Sequence, residues 1–405
     1  MEVDFIIYFG DFMQIICESR DLIVFSHLRW DFVFQRPQHL LSRFARHRRV
    51  FYIEEPVFSN IEIPRLSIRE SSEQIRIVVP YLPQSIKADE VSESLRLMVD
   101  ELLEEASIED YSLWYYTPMA MEFSRHLNPE KIIFDCMDEL SLFKNAPQKL
   151  IELEQELYNK ADIIFTGGQS LYEAKKKKHQ NVHPFPSSID YHHFSQSRFQ
   201  LVEPEDQINI PHPRIGFYGV IDERFDVDLL ASISDLRPDF HFIIIGPTAK
   251  IDPAILPKKK NIHYLGKKDY LHLPLYISGW DCAMMPFARN DATRFISPTK
   301  TPEFLAAGKP VVSTSIHDVI HPYADTKLVY IADNAVDFVN SIETAMNEAA
   351  YDPEWLERVD AFLEGNSWDQ TFKEMAELEL SLSEIQFPVK QPAYKDESLR
   401  SIGIV

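Results

Sequence analysis

The segment Ser297-Pro-Thr-Lys-Thr-Pro-Glu-Phe-Leu-Ala-Ala-Gly-Lys-Pro-Val-Val-Ser-Thr314 carries residue types that can hold an anionic ligand. It reads as a loop, a short helix opening near Pro302, a Gly308 cap and a buried strand at Val311–Val312. Pro302 at the first helical position puts Glu303 in the opening turn, beside amides and a helix dipole that favour a phosphate. A carboxylate fixed there can accept hydrogen bonds from two vicinal ribose hydroxyls. It can equally do no more than complement the dipole.

A second group lies in Phe25-Ser-His-Leu-Arg-Trp-Asp-Phe-Val-Phe-Gln-Arg-Pro-Gln-His-Leu40, directly after an apolar run. That position is the C-terminal edge of a sheet, where α/β folds bind ligands. His27, Arg29, Trp30, Arg36 and Gln38 crowd hydrogen-bonding and stacking groups into one loop, a set that suits a sugar. The competing reading buries Trp30 and Phe34 as core and leaves the arginines in water. Asp135, Asp138 and Glu139 follow the apolar run Ile132–Phe134, and carboxylates gathered there can act as a general base or bind a metal. Asp138 is the candidate base or acceptor ligand, with helix capping as its bland alternative; His27 is the competing base. Glu55, after the second apolar run, is expected at the same edge.

These groups need a scaffold. Short β-branched or aromatic runs (Asp21–Phe25, Arg49–Ile53, Ile75–Val79, Ser112–Tyr116, Lys131–Asp135, Asp162–Phe165) alternate with helical stretches at Pro37–Ala45, Ala88–Ala106 and Gln148–Lys160. Continuous apolar strands between helices predict a parallel sheet covered on both faces. Periodicity lapses over Ser195–Pro213, read as a linker, and the alternation restarts at Arg214. Two βα series imply two doubly wound domains facing across a cleft. The expected division is 1–200 (with 1–12 an extension and Met13 a start of the fold), 201–350, and 351–405 as helices packing back toward the N-terminal domain.

Composition narrows the function. The chain has 405 residues and a formal charge of −22, ten of those excess negative charges falling in residues 343–384. Such a surface repels nucleic acid and anionic membrane. The three cysteines, Cys17, Cys136 and Cys282, are too far apart for a zinc cluster or a disulfide framework and fit a reducing compartment. No apolar run approaches the roughly 20 residues of a membrane span, so a cytoplasmic protein is expected. Between Gly10 and Gly167 there is no glycine, which excludes a Rossmann G-x-G-x-x-G or P-loop from the first half.

The second half resembles the donor domain of GT-B glycosyltransferases, particularly glycosyltransferase family 4. The Ser297–Thr314 segment is similar to their E-x-L-A-x-G-K-P-V-V element. Asn261–Gly266 with Asp281–Phe287 is similar to the pair of motifs flanking the base pocket, and Arg214–Arg224, with Gly216 and Gly219, to the glycine-bearing entry. The resemblance implies that Glu303 grips the nucleotide ribose, Arg224 and Lys300 touch the pyrophosphate, Gly219 lies at the entry, and Leu265 and Gly266 touch the base. Phe295 stands where that family usually carries a second glutamate, and Arg294, Ser297 and Thr299 are the neighbours that replace its contacts. Phe25–Leu40, Asp135–Leu140 and Ala161–Ser170 resemble bacterial transferases of cell-surface polysaccharide pathways; the strand-end groups Arg29, Trp30, Arg36 and Gln38 are the expected acceptor ligands, as is Glu55, for which capping is the alternative.

The implied activity is transfer of a hexosyl group from a nucleotide-sugar, itself a substrate, to a saccharide or lipid-linked saccharide acceptor. No metal or other cofactor is expected: the Asp-x-x-Asp spacing departs from the Asp-x-Asp of metal-dependent GT-A enzymes, and cationic side chains can neutralise the leaving diphosphate. Lys175–Lys178 is read as a solvated face, or as a contact with anionic lipid at the inner face of a membrane. A nucleotide-sugar epimerase of the same fold and a non-catalytic scaffold remain as alternatives, as do retaining and inverting outcomes.

Overall fold

The computed structural model describes residues 21–144, 146–199 and 201–385. The N-terminal extension expected at 1–12, Met13 and Cys17 lie outside them. The first sheet consists of β1 (Asp21–Ser26), β2 (Val50–Glu54), β3 (Val57–Ser59), β4 (Arg65–Glu70), β5 (Ile75–Pro83), β6 (Tyr111–Tyr115), β7 (Lys131–Cys136), β8 (Ile163–Thr166) and β9 (Val182–Pro184). Its order is β3-β5-β2-β1-β6-β7-β8-β9, parallel except for β4, which pairs antiparallel with β5. The second sheet, in the order β12-β11-β10-β13-β14-β15, is parallel throughout and spans β10 (Arg214–Tyr218), β11 (His241–Ile245), β12 (Ile262–Gly266), β13 (Cys282–Met285), β14 (Val311–Ser313) and β15 (Val329–Ile331). Strand order reverses at β1/β6 and at β10/β13, which opens a crevice at the strand ends of each sheet.

Helices cover both faces of both sheets. In β1, Ile23 and Phe25 pack toward α2 (Ala88–Glu105) and α3 (Gln148–Lys160), while Leu22 and Val24 face α1 (Arg36–Phe44). The helix α4 (Gln169–Lys175) follows β8. In the second lobe, α5 (Val227–Leu236) and α7 (Ala335–Tyr351) lie on one face; α6 (Lys300–Ala306) and α8 (Trp355–Leu363) lie on the other.

The final helix, α9 (Trp368–Ile385), returns to the first lobe and completes its core with Trp368, Phe372, Met375 and Ala376. Arg48 meets Glu379 through two 2.8 Å hydrogen bonds, both side chains being buried, and Lys131 Nζ donates to the Glu379 carbonyl at 2.6 Å.

The boundaries differ from those expected. Phe185 belongs to the first core and Ile189 to the second, so the chain crosses at 186–188 and not near 200. The polar stretch that reads as a linker is wrapped onto the second lobe: Trp280 Nε1 donates to Gln207 at 3.0 Å and Tyr276 Oη to Asp206 at 2.9 Å. Of the two C-terminal helices only α9 packs on the first lobe; Trp355, Val359 and Leu363 of α8 are core of the second. The return crossing runs beside the outward one, with Ser188 and Thr371 hydroxyls 2.5 Å apart. β3, β4 and β9 escaped the sequence reading because they are short or mostly exposed edge elements without a continuous apolar run.

Candidate functional site

A cavity of about 1010 Å³ lies between the lobes. It is lined by the loop after β1, the ends of β7 and β8, the ends of β10 and β11, residues 267–273, and 296–303.

On the second lobe Glu303 lines this cavity, 4% exposed, and accepts a hydrogen bond from the Tyr218 phenol. Burial pushes its carboxyl up to about 7, against the pull of the Lys300 ammonium. The helix α6 begins at Lys300, so Pro302 is its third residue and not its first. Amides of Thr301 and Glu303 are already used by the carbonyls of Pro298 and Thr299, which wind the helix earlier than the proline alone suggests. Glu303 still falls in the first turn.

Lys300 lies 5.8 Å over the Tyr218 ring, and burial lowers its pKa while Glu303 opposes that. Gly219, at φ +147°, makes room for it: a Cβ there would come within 2.4 Å of Lys300 Cε. Gly246, at φ +142°, lets the end of β11 approach Gly219, whose carbonyl a Cβ would strike at 1.8 Å. Gly216, by contrast, accommodates the Trp280 indole and serves packing.

Arg224 lines the cavity but is clamped by Asp222 at 2.7 Å and rests 5.5 Å from the Phe143 ring of the first lobe. Ser297 and Thr299 line the cavity. Leu265 and Gly266 do not: strand pairing jumps from Tyr264 to Gly266, so Leu265 is the extra residue of a bulge. Leu265 packs toward the core of its lobe and Gly266 is exposed. Residues 267–273 occupy the wall in their place. Phe295 packs against the core of the first lobe, with the Arg294 guanidinium 5.2 Å over its ring.

In the first lobe Trp30, Arg36 and Gln38 line the cavity, as expected, whereas Arg29 and Glu55 do not. Arg36 is 2% exposed, its Nε 3.0–3.1 Å from both oxygens of fully buried Asp135 and its Nη1 2.7 Å from the Phe185 carbonyl. It braces β7 against the start of the crossing while lining the cavity. Gln38 donates to the carbonyls of Trp30 (2.6 Å) and Val33 (3.1 Å) and accepts from the Gln35 amide, so its amide group is spent on the loop. Trp30 is 6% exposed, edge-on to Tyr52, with its backbone N–H on Glu54. Arg29 donates to Glu54 at 2.9 Å and to the Glu55 carbonyl at 2.6 Å, outside the cavity lining. Glu55 lines a separate, smaller pocket.

Asp138 does line the interlobe cavity, and its charge reaches His27, Arg224 and Lys300. His27 is lowered to about 4 by burial, against the attraction of Asp138, and its Nδ1 has no hydrogen-bond partner among the described residues. It is therefore neutral at ordinary pH. Glu139 is consumed by Lys175 at 2.7 Å. Lys175 is wholly buried between Glu139 and Glu154, whereas Lys176, Lys177 and Lys178 are exposed, so only the first lysine of that run departs from a solvated face.

Sequence reasoning missed the groups that span the lobes. Lys250 sits 5.4 Å from the Phe143 ring and acts electrostatically on His27 and Glu55. Tyr270 is sandwiched between Phe34 at 4.6 Å and His193 at 4.5 Å, and Lys267 Nζ donates to the Asp31 carbonyl at 2.8 Å. These pairs join distant positions, so no local pattern announces them.

Residues 212–348 match the family model described as glycosyl transferases group 1. The putative teichuronic acid biosynthesis glycosyltransferase TuaH of Bacillus subtilis (strain 168) is 26% identical over 298 residues, covering 69% of this chain and 70% of that protein. The chain has the GT-B fold, and its second lobe is similar to glycosyl transferases group 1. Among solved structures, the chain is similar to sucrose-phosphate synthase from Thermosynechococcus elongatus, with a TM-score of 0.67 at 14% identity, over 90% of this chain and 100% of that one. It is also similar to Anabaena HepE in complex with UDP and glucose, with a TM-score of 0.65 at 11% identity, over 89% and 99%. Both likenesses establish the architecture. Among the described residues no helix is long and apolar enough to cross a membrane.

Proposed function

We propose that the transferase binds the nucleotide-sugar on its second lobe, with the Glu303 carboxylate on the ribose hydroxyls and Lys300 and Arg224 beside the diphosphate. Lobe closure excludes water and brings the acceptor hydroxyl to the anomeric carbon, which supplies the positioning part of catalysis. As the glycosidic bond to the diphosphate breaks, negative charge grows on its oxygens, and two fixed cations in a water-poor cleft stabilise it without a metal. Asp138 is the side chain of the first lobe placed to hold or deprotonate the acceptor hydroxyl. His27, neutral and weakly basic, acts as its neighbour. The acceptor belongs to cell-surface polysaccharide assembly, as the relationship to TuaH supports. Lipid linkage of that acceptor and work at the inner face of the membrane belong to this proposal, and two buried free thiols, Cys136 and Cys282, fit a reducing cytoplasm.

The observation that carries the reading is a buried carboxylate and an ammonium together in the interlobe cavity, on the motif that matches the family. Calorimetric titration with UDP and ADP tests it. Glu303→Ala should weaken binding of the preferred nucleotide by roughly 10- to 100-fold, the worth of hydrogen bonds to a charged group. Unchanged affinity in both Glu303→Ala and Lys300→Met would overturn the site.

A further inference from the structure

The smaller pocket, about 390 Å³, belongs to the first lobe alone. Buried Phe25, Ile53 and Leu95 form its depth, Val91 and Phe123 its sides, and Phe58, 50% exposed, its mouth. Its charged lining groups are acidic: Glu54 is neutralised by Arg29, Glu122 is paired with Lys149, and the Glu55 carboxyl is raised by burial. Among the described residues no lysine or arginine lines it. An anionic group would meet no lysine or arginine in that lining; a neutral hydrocarbon would meet apolar walls.

The pocket also adjoins the interlobe cavity. Trp30 lines that cavity, and its backbone N–H donates to Glu54 of the smaller pocket at 2.8 Å. A molecule whose sugar lies in the interlobe cavity, which Asp138 lines, can therefore place an attached chain between α2 and the ends of β1 and β2.

We propose that this pocket binds a neutral hydrocarbon chain carried by the acceptor sugar. The inference rests on the transferase reading above and adds an aglycone requirement to it. Each methylene removed from water is worth roughly fourfold in affinity. n-Octyl β-D-glucopyranoside should therefore bind at least about tenfold more tightly than the n-butyl compound.

Both are titrated against the full chain below the micellar concentration, with the neutral fluorophore N-phenyl-1-naphthylamine as a displaceable probe. Val91→Trp, which fills the pocket from a half-buried helix position, should abolish both probe binding and the chain-length dependence. Phe58→Glu, at the exposed mouth, should do the same if Val91→Trp fails to fold. No chain-length dependence in the natural sequence, or one that survives both substitutions, overturns the proposal. UDP and ADP titrations on the same samples separate the two readings. Nucleotide binding without chain-length dependence removes the aglycone pocket alone, whereas chain-length dependence without nucleotide binding removes the transferase site and keeps the pocket.

Discussion

The loop after β1 and the segment entering α6 are both polar, and both sit at the C-terminal edge of a parallel sheet. They spend their polar groups differently. Between Gly10 and Gly167 the chain has no glycine, so the first loop is held together by side chains. Gln38 holds two carbonyls, Tyr52 Oη donates to the Leu28 carbonyl at 3.0 Å, and Arg29 ties down two carbonyls after β2. The second lobe turns its strand ends with Gly219 and Gly246 at positive φ, which brings the backbone close without side-chain ties. Glu303 and Lys300 then remain for the cavity. A dense polar loop is thus as consistent with self-support as with ligand binding, and the nearby supply of glycine helps tell the two apart.

The contrast can be broken at several points. Arg36→Ala should be the most damaging change, because it strands the fully buried Asp135 without a countercharge, at a cost of about 3–5 kcal/mol. Thermal unfolding should show a drop of roughly 10 °C. A stable Arg36→Ala protein with only a raised acceptor KM would restore Arg36 as an acceptor ligand.

Glu303 gives the opposite behaviour. Its ordinary value is 4.5 and its folded value is about 7, so between those two the folded protein keeps a proton that the unfolded chain has lost. Stability falls as pH rises through that window. Glu303→Gln should remove this loss and leave the unliganded protein about 2–3 kcal/mol more stable at pH 8. Donor affinity, which needs the ionised form, should rise from pH 6 to 8 in the natural enzyme and stay flat in Glu303→Gln.

Gln38→Ala should cost about 1–3 kcal/mol, the penalty for carbonyls left unpaired in a buried loop, measured by denaturant titration. Arg29→Ala should be the mildest, under about 1 kcal/mol because its guanidinium is 38% exposed and screened. A severalfold rise in acceptor KM from Arg29→Ala, without loss of stability, would mark the rim of the loop as functional after all.

Much of the fold is legible in the sequence. The run Arg214–Tyr218 is β10 and Gln148–Lys160 is α3, because their apolar residues are continuous in the one and helically spaced in the other. The edge strand β4, with Arg65, Ser67, Arg69 and Glu70 exposed, lacks that signal. In the candidate site, Glu303 and Asp138 could be picked out locally, from a helix start and a strand end, whereas Lys300, Ser297 and Thr299 come from the resemblance of their segment to a known motif. Leu265 was misplaced because a bulge is a property of two strands in register, and Lys250 and Tyr270 because their partners lie on the other lobe.

The return of α9 has a consequence for how the molecule is made. Phe44 and Trp114 emerge early from the ribosome, yet Trp368 and Phe372, which cover them, are synthesised some 250 residues after Trp114. The lobe that is translated first is therefore closed last, and a nascent chain or a truncation lacking its tail presents a bare aromatic face to whatever surrounds it.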